Sequence, residues 1–163
     1  MDATIMPSTS LLTKLSADFP TITFQPSAEF FWSPSKAAVH FNDADPLRDN
    51  LLLHELAHGV LGHQEYSRDV ELIAMETAAW EKAQELAPTY DITIDENAVQ
   101  DHLDTYRDWL HARSLCPKCD ATGLQGTTHS YRCLACGHEW RANTAQLCAL
   151  RRYAVTETSK NPA

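Results

Sequence analysis

At 163 residues, 44% of them hydrophobic, the chain can bury one core together with a small module held by other means, and it has no room for two full domains. A net charge of −9 argues against general binding to a phosphate backbone, and no apolar run reaches the length of a membrane span. Met1-Asp2-Ala3-Thr4 lacks the basic and apolar regions of a secretory signal, so a cytoplasmic protein with no membrane partner is expected.

In chain order, the first predicted elements are strands. Thr21-Ile22-Thr23-Phe24, Phe30-Phe31-Trp32 and Ala38-Val39-His40-Phe41 are β-prone runs separated by Pro26, Ser27, Pro34 and Ser35, which predicts a small meander. The edge of such a sheet can take an extended peptide as an added strand.

Asp45-Pro46 then opens a helix, with Asp45 as its N-cap and proline at the first helical position. Leu47, Leu51, Leu52, Leu53, Leu56, Val60 and Leu61 make this helix apolar on nearly all sides, which predicts a central core element, and Gly62 supplies its stop. Within it, His54-Glu55-Leu56-Ala57-His58 fits the HExxH pattern of zinc-dependent hydrolases. Residues four apart share one helical face, so both imidazoles can reach a single metal while Glu55 stands beside them as a general base.

A hydrolytic zinc needs three protein ligands and an open position. His63 is nearest in sequence, but the metzincin pattern requires glycine and histidine where Leu61 and Gln64 stand, which excludes that class. The next predicted helix, Ser67 to Ala87, carries Leu72, Ile73, Ala79, Trp80, Ala83 and Leu86 on one stripe with Glu76 at its centre. Glu71, Glu81 and Glu85 fall on the opposite side. A carboxylate amid a core-facing stripe is costly unless paired or metal-bound, so Glu76 is the expected third ligand. Tyr90, His102, Tyr106 and His111 are candidate donors to a tetrahedral oxyanion, with nothing in the spacing to choose among them.

A further helix is predicted from Thr93 to Arg113, with Val99, Leu103, Tyr106 and Leu110 on one face. Beyond it, Cys116-Pro117-Lys118-Cys119 and Cys133-Leu134-Ala135-Cys136 form two CxxC pairs thirteen residues apart, the pattern of a closed four-cysteine structural zinc site. His129 or His138 could substitute as ribbon ligands, but four cysteines suffice. Zinc-bound thiols suit a reducing compartment. Cys148 falls in a predicted short helix from Asn143 to Tyr153 and is expected to pack as a small apolar group. Lys118, Arg132, Arg141, Arg151 and Arg152 give the ribbon its only basic positions, so nucleic acid is a less favoured partner than protein.

The stretch HELAHGVLGH, followed by a glutamate in METAAWEKA eighteen residues after the second motif histidine, resembles the gluzincin-type metallopeptidases, above all the ImmA/IrrE-like family. The resemblance covers roughly residues 20 to 90. It implies a short mixed sheet in front of the two ligand helices, and intracellular proteolysis of a protein substrate such as a DNA-binding transcriptional regulator. The C-terminal zinc ribbon departs from that family and is similar instead to the SprT-like proteases, which act on proteins at DNA but take a histidine as third ligand.

The expected class is therefore α+β: a minimal zincin-like metallopeptidase core, with a small mixed sheet plus helices, over residues 1–113. A zinc-ribbon module with a C-terminal helix follows over 114–155, and a flexible tail over 156–163. The expected cofactors are two Zn²⁺ ions, one catalytic on His54, His58 and Glu76 and one structural on Cys116, Cys119, Cys133 and Cys136. The rival from another class is a non-catalytic adaptor in which the first zinc only ties helices together. Glu55 speaks against it, because a structural site has no need of that carboxylate.

Overall fold

The computed structural model describes residues 8–143 and 152–154, in which helices and small sheets combine as an α+β fold. The chain divides into two units, Met1–Glu65 with Met75–Val99 and Tyr66–Ala74 with Gln100–Ala163. No helix among the described residues is long and apolar enough to cross a membrane.

In the first unit, helix α1 (Ser8–Asp18) buries Leu11 and Leu15 and leads into a three-stranded sheet of β1 (Thr23–Pro26), β2 (Phe31–Ser33) and β3 (Ala38–Phe41). The strand order is β1-β3-β2, with β1 parallel and β2 antiparallel to β3, which corrects the expected meander. Apolar content explains the order. Ala38, Val39 and Phe41 of β3 are buried, whereas β1 and β2 are largely exposed or half-buried, so the most apolar strand takes the centre. Pro26, which has no N–H to give a ladder, suits an outer strand.

Helix α2 (Arg48–Val60) starts two residues later than Asp45-Pro46 predicts. The Asp45 carboxylate accepts the Leu47 N–H at 2.8 Å and its carbonyl accepts the Arg48 N–H at 3.1 Å, so Asp45 closes a turn ahead of the helix instead of capping it. Leu52, Leu53, Leu56 and Ala57 are buried with His54 and His58, and Arg48 is buried at the first position, while the flanking Leu47 and Leu61 are 52% and 42% exposed. The all-round apolar core helix is thus corrected: its buried face includes an arginine and two histidines, and the leucines flanking it are exposed.

The chain reverses sharply at the C-terminal end of α2. Gly62 has φ +69°, its N–H bonds to the Gly59 carbonyl at 3.1 Å, and the His63 N–H bonds to the His58 carbonyl at 2.9 Å. These two bonds make a Schellman motif, in which a left-handed residue satisfies the last carbonyls and folds the chain back over the final turn.

Just ahead of helix α3 (Asp69–Leu86), the Glu71 carboxylate reaches back to accept the N–H of Ser67 at 2.8 Å and of Arg68 at 3.2 Å. Along it Leu72, Glu76, Ala79, Trp80 and Ala83 are buried while Glu71, Glu81 and Glu85 are exposed, the stripe read from the sequence. A 3₁₀ turn, Ala87–Tyr90, separates it from helix α4 (Glu96–Ser114), which begins three residues after the predicted Thr93 because the Asp95 carboxylate accepts the Asn97 N–H just ahead of it.

In the second unit, β4 (Leu124–Gln125), β5 (Ser130–Arg132), β6 (Glu139–Ala142) and β7 (Arg152–Ala154) form an antiparallel sheet in chain order. Its small core is Cys116, Tyr131, Cys133, Trp140 and Ala142, with Ala121 packed against it. The Trp140 indole donates to the Arg113 carbonyl at 3.0 Å. Arg113 itself is 1% exposed, donates to the Tyr131 hydroxyl at 3.2 Å and lies 4.5 Å from the centre of the Trp109 ring. Residues 152 and 153 are strand, not the end of the predicted helix, because the free edge of β6 pairs them as Ala142 with Arg152 and Arg141 with Tyr153. Cys148 and the tail over 156–163 lie outside the described residues.

Candidate metal centres

The first cluster is built by α2 and the part of α3 that belongs to the same unit. One helical turn separates His54 from His58, and their Nε2 atoms stand 3.2 Å apart. Glu76 faces them from α3, with one carboxylate oxygen 3.0 Å from His54 Nε2 and the other 3.5 Å from His58 Nε2. All three residues are buried. Atoms that share a tetrahedral zinc at bond lengths of about 2.0–2.1 Å lie about 3.3 Å from one another, so the three separations suit a common ion.

Each ring is held from outside the cluster. His54 stacks on Trp80 with centroids 4.3 Å apart. His58 Nδ1 lies 2.8 Å from His63 Nδ1.

Electrostatics distinguish the two carboxylates. Burial alone would raise the Glu76 carboxyl, but hydrogen bonds from His54 and His58, and their charge, hold it down at about 2. Glu55 is pushed up to about 7, first by burial and further by the Glu76 charge, against the pull of His58 and of a hydrogen bond with the Trp32 main chain. Two carboxylates in one site thus differ widely in proton affinity, one fixed as an anion and one poised to exchange a proton near neutral pH. His58 is itself raised: burial pulls it down, but its hydrogen bond with Glu76 and the charges of Glu76 and Glu55 outweigh that.

These shifts fix a pH dependence for the metal-free protein. Glu76, depressed from 4.5 to about 2, gives stability that is complete above about pH 4.5 and is lost as pH falls towards 2. Glu55, raised from 4.5 to about 7, and His58, raised above 6.5, act in the other sense: each favours the fold at low pH and loses that contribution as pH rises through its folded value. In chelator, amide exchange corrected for its intrinsic pH dependence should show α2 less protected at about pH 8 than at about pH 6. Equal or greater protection at the higher pH contradicts the assignment.

Of the candidate oxyanion donors, Tyr90 is engaged elsewhere. Its hydroxyl donates to Asp18 at 2.7 Å at the end of α1, and burial with that carboxylate pushes it up to about 12. His102, Tyr106 and His111 lie on α4 beyond Val99, in the second unit, where the His102 and Tyr106 rings are in contact at 5.4 Å.

The second cluster is Cys116, Cys119, Cys133 and Cys136, whose sulfurs all lie within 4.8 Å of one another and can hold one metal ion in the manner of a zinc ribbon. Cys116 and Cys136 are 3.7 Å apart and Cys119 and Cys133 3.5 Å, against about 3.8 Å for thiolates on one tetrahedral zinc at about 2.3 Å. The two CxxC turns share one backbone pattern. Cys116 and Cys133 accept from the N–H four residues on, Asp120 and Gly137, both at 2.9 Å, and those two residues have φ +60° and +74°. Cys116 and Cys133 also donate to the carbonyl five residues on, Ala121 and His138, at 2.9 and 2.8 Å. Such repeated turns aim paired sulfurs inward.

The Cys133 thiol is pushed down to about 7, chiefly by the Cys136 N–H, towards the deprotonated state that a metal requires. The histidine substitutes are occupied otherwise: His129 Nδ1 lies 3.4 Å from the Arg113 guanidinium and the His138 ring stacks beside Trp140.

No family model matches the sequence, and no curated protein or solved structure matches the chain.

Two residues near the first cluster carry more than the sequence suggests. His63, excluded as a metzincin-type third ligand, is the hydrogen-bond partner of His58. Trp32 meets both Glu55, through its main chain, and the His63 carbonyl, to which its indole donates at 3.0 Å.

Proposed function

We propose that the chain is a zinc-dependent metallopeptidase acting on a protein substrate, with His54, His58 and Glu76 as metal ligands and Glu55 as general base. The observation that carries this reading is the convergence of His54 Nε2, His58 Nε2 and the Glu76 carboxylate at 3.0 to 3.5 Å. When bound there, zinc supplies the Lewis acidity that polarises a carbonyl and brings the pKa of a water down to about 7.

The protein's own part in the reaction falls to four side chains. His54 and His58 present Nε2 lone pairs, and Glu76 keeps its negative charge at neutral pH. Glu55 takes the proton from the attacking water and returns it to the leaving amine, a task suited to a group that changes state near neutrality. The resemblance to ImmA/IrrE-like peptidases supports a DNA-binding regulator as substrate class. The ribbon is what keeps a SprT-like action on proteins at DNA as the alternative.

Metal stoichiometry is the first test. The full chain should carry two zinc ions, and His54→Ala or Glu76→Ala should each carry one, measured by elemental analysis under reducing conditions. Two ions retained in Glu76→Ala would remove Glu76 from the site.

A further inference from the structure

We infer that His63 is a positioning residue for the metal site: its Nδ1 accepts the Nδ1–H of His58, which leaves His58 Nε2 unprotonated and directed at the ion. The inference rests on the metal site proposed above and extends it to a residue outside the HExxH pattern.

A neutral imidazole carries one proton on either of two nitrogens, and only the bare nitrogen can bind a metal. Left alone beside Glu76, His58 would gain by protonating Nε2 and donating it to that carboxylate, which is 3.5 Å away. A partner on Nδ1 decides the matter. An acceptor there holds the proton on Nδ1, orients the ring and raises the basicity of Nε2. The ring nitrogen that His58 Nδ1 meets at hydrogen-bond distance is His63 Nδ1, at 2.8 Å.

The chain holds His63 in place by two means. The left-handed Gly62 and the bond from the His63 N–H to the His58 carbonyl fold residue 63 back over the last turn of α2. On an uninterrupted helix residue 63 would stand about 140° round from His58, well off its face. The Trp32 indole then donates to the His63 carbonyl at 3.0 Å. Gly59 lets the indole come this close, since a Cβ there would lie 2.9 Å from the Trp32 ring and from the Ile22 side chain. A turn and a tryptophan, the latter admitted by a bare helical position, thus converge on one imidazole.

Substitution at residue 63 separates a positioning role from a packing role. The Asn side-chain oxygen sits where His63 Nδ1 does, so His63→Asn keeps the acceptor, while His63→Ala and His63→Leu remove it. Zinc affinity would be measured on the full chain by chelator competition, with His54→Ala as the reference for the ribbon ion alone. His63→Ala and His63→Leu are expected to weaken the site about 10- to 100-fold, and His63→Asn to stay within about threefold of the parent. In the metal-free protein, at a pH high enough that His58 is neutral, ¹⁵N imidazole shifts should show the Nδ1–H tautomer of His58 in the parent and in His63→Asn, and a growing Nε2–H tautomer in His63→Ala.

Unchanged affinity in all three variants, equal weakening in all three, or a neutral Nε2–H tautomer of His58 in the parent would overturn the positioning role while leaving the ligand assignment intact. A parent chain that binds no more zinc than His54→Ala would overturn the metal site itself, and the role of His63 with it.

Discussion

Glu55→Gln should abolish turnover while leaving both zinc ions in place. General-base catalysis contributes about 10² to 10⁴ in rate, so cleavage of any substrate found for the parent should fall by that factor. The amide keeps the size of the side chain and an oxygen able to accept from the Trp32 main chain, so the local packing survives. Stability should move in the opposite direction to activity. The Glu55 carboxyl is pushed up to about 7, which means the fold disfavours its charge, and a neutral replacement removes that penalty above neutral pH. A variant that is inactive and fully metallated with zinc present, and in chelator at least as stable as the parent at about pH 8, is the signature of a catalytic residue. Loss of zinc in Glu55→Gln would assign the carboxylate to the coordination shell, and full activity would remove it from the reaction. Cleavage of no substrate by either parent or variant would favour the adaptor reading, in which the ion only joins α2 to α3.

The parts of this site legible in the sequence are those that depend on helical period alone. His54 and His58 share a face because they are four residues apart, and Glu76 shows itself by interrupting a stripe that also holds Leu72, Ala79, Trp80 and Ala83. Positions beyond the helix ends are not legible in this way. His63 looks like a solvent residue until the left-handed turn at Gly62 brings it back, and Trp32 reads as one more β-prone aromatic until its indole is seen to cap that turn. Gly62 marks the end of the helix but not the direction of the chain after it.

The strands show the same limit. Composition locates β1, β2 and β3 to within a few residues, yet alternation along a strand carries no information about its neighbours, so the placing of β3 between β1 and β2 comes from tertiary packing. Residues 152 and 153 have a helical pattern but form strand because the open edge of β6 takes them up. The helix α1, with Leu11 and Leu15 one turn apart and fully or nearly buried, is readable in principle from that spacing.

The other large effect concerns the ribbon. Its core holds two aromatic rings, Tyr131 and Trp140, with two alanines and the buried Cys116 and Cys133, which is too little apolar surface to order a module of this size without a staple. A structural zinc supplies about 10–16 kcal/mol in small zinc-binding peptides, as much as the whole stability of a typical domain at about 5–15 kcal/mol. Cys133→Ser should therefore release one zinc per chain and remove amide protection from β5 and β6, as should a strong chelator acting on the parent under reducing conditions. Cys133 is the more telling choice than Cys119 because its sulfur is fully buried, so no surface water can stand in for it.

The competing account is a pair of disulfides. The sulfurs lie 3.5 and 3.7 Å apart, whereas a disulfide needs about 2.05 Å, and the four-way approach within 4.8 Å has no purpose for two separate bonds. Intact-mass measurement decides between them. With zinc, the native parent should resist thiol alkylation at all four cysteines and lose that resistance on chelation alone. A protein that resists alkylation until a reductant is added would instead be held by disulfides, and its ribbon would survive the chelator.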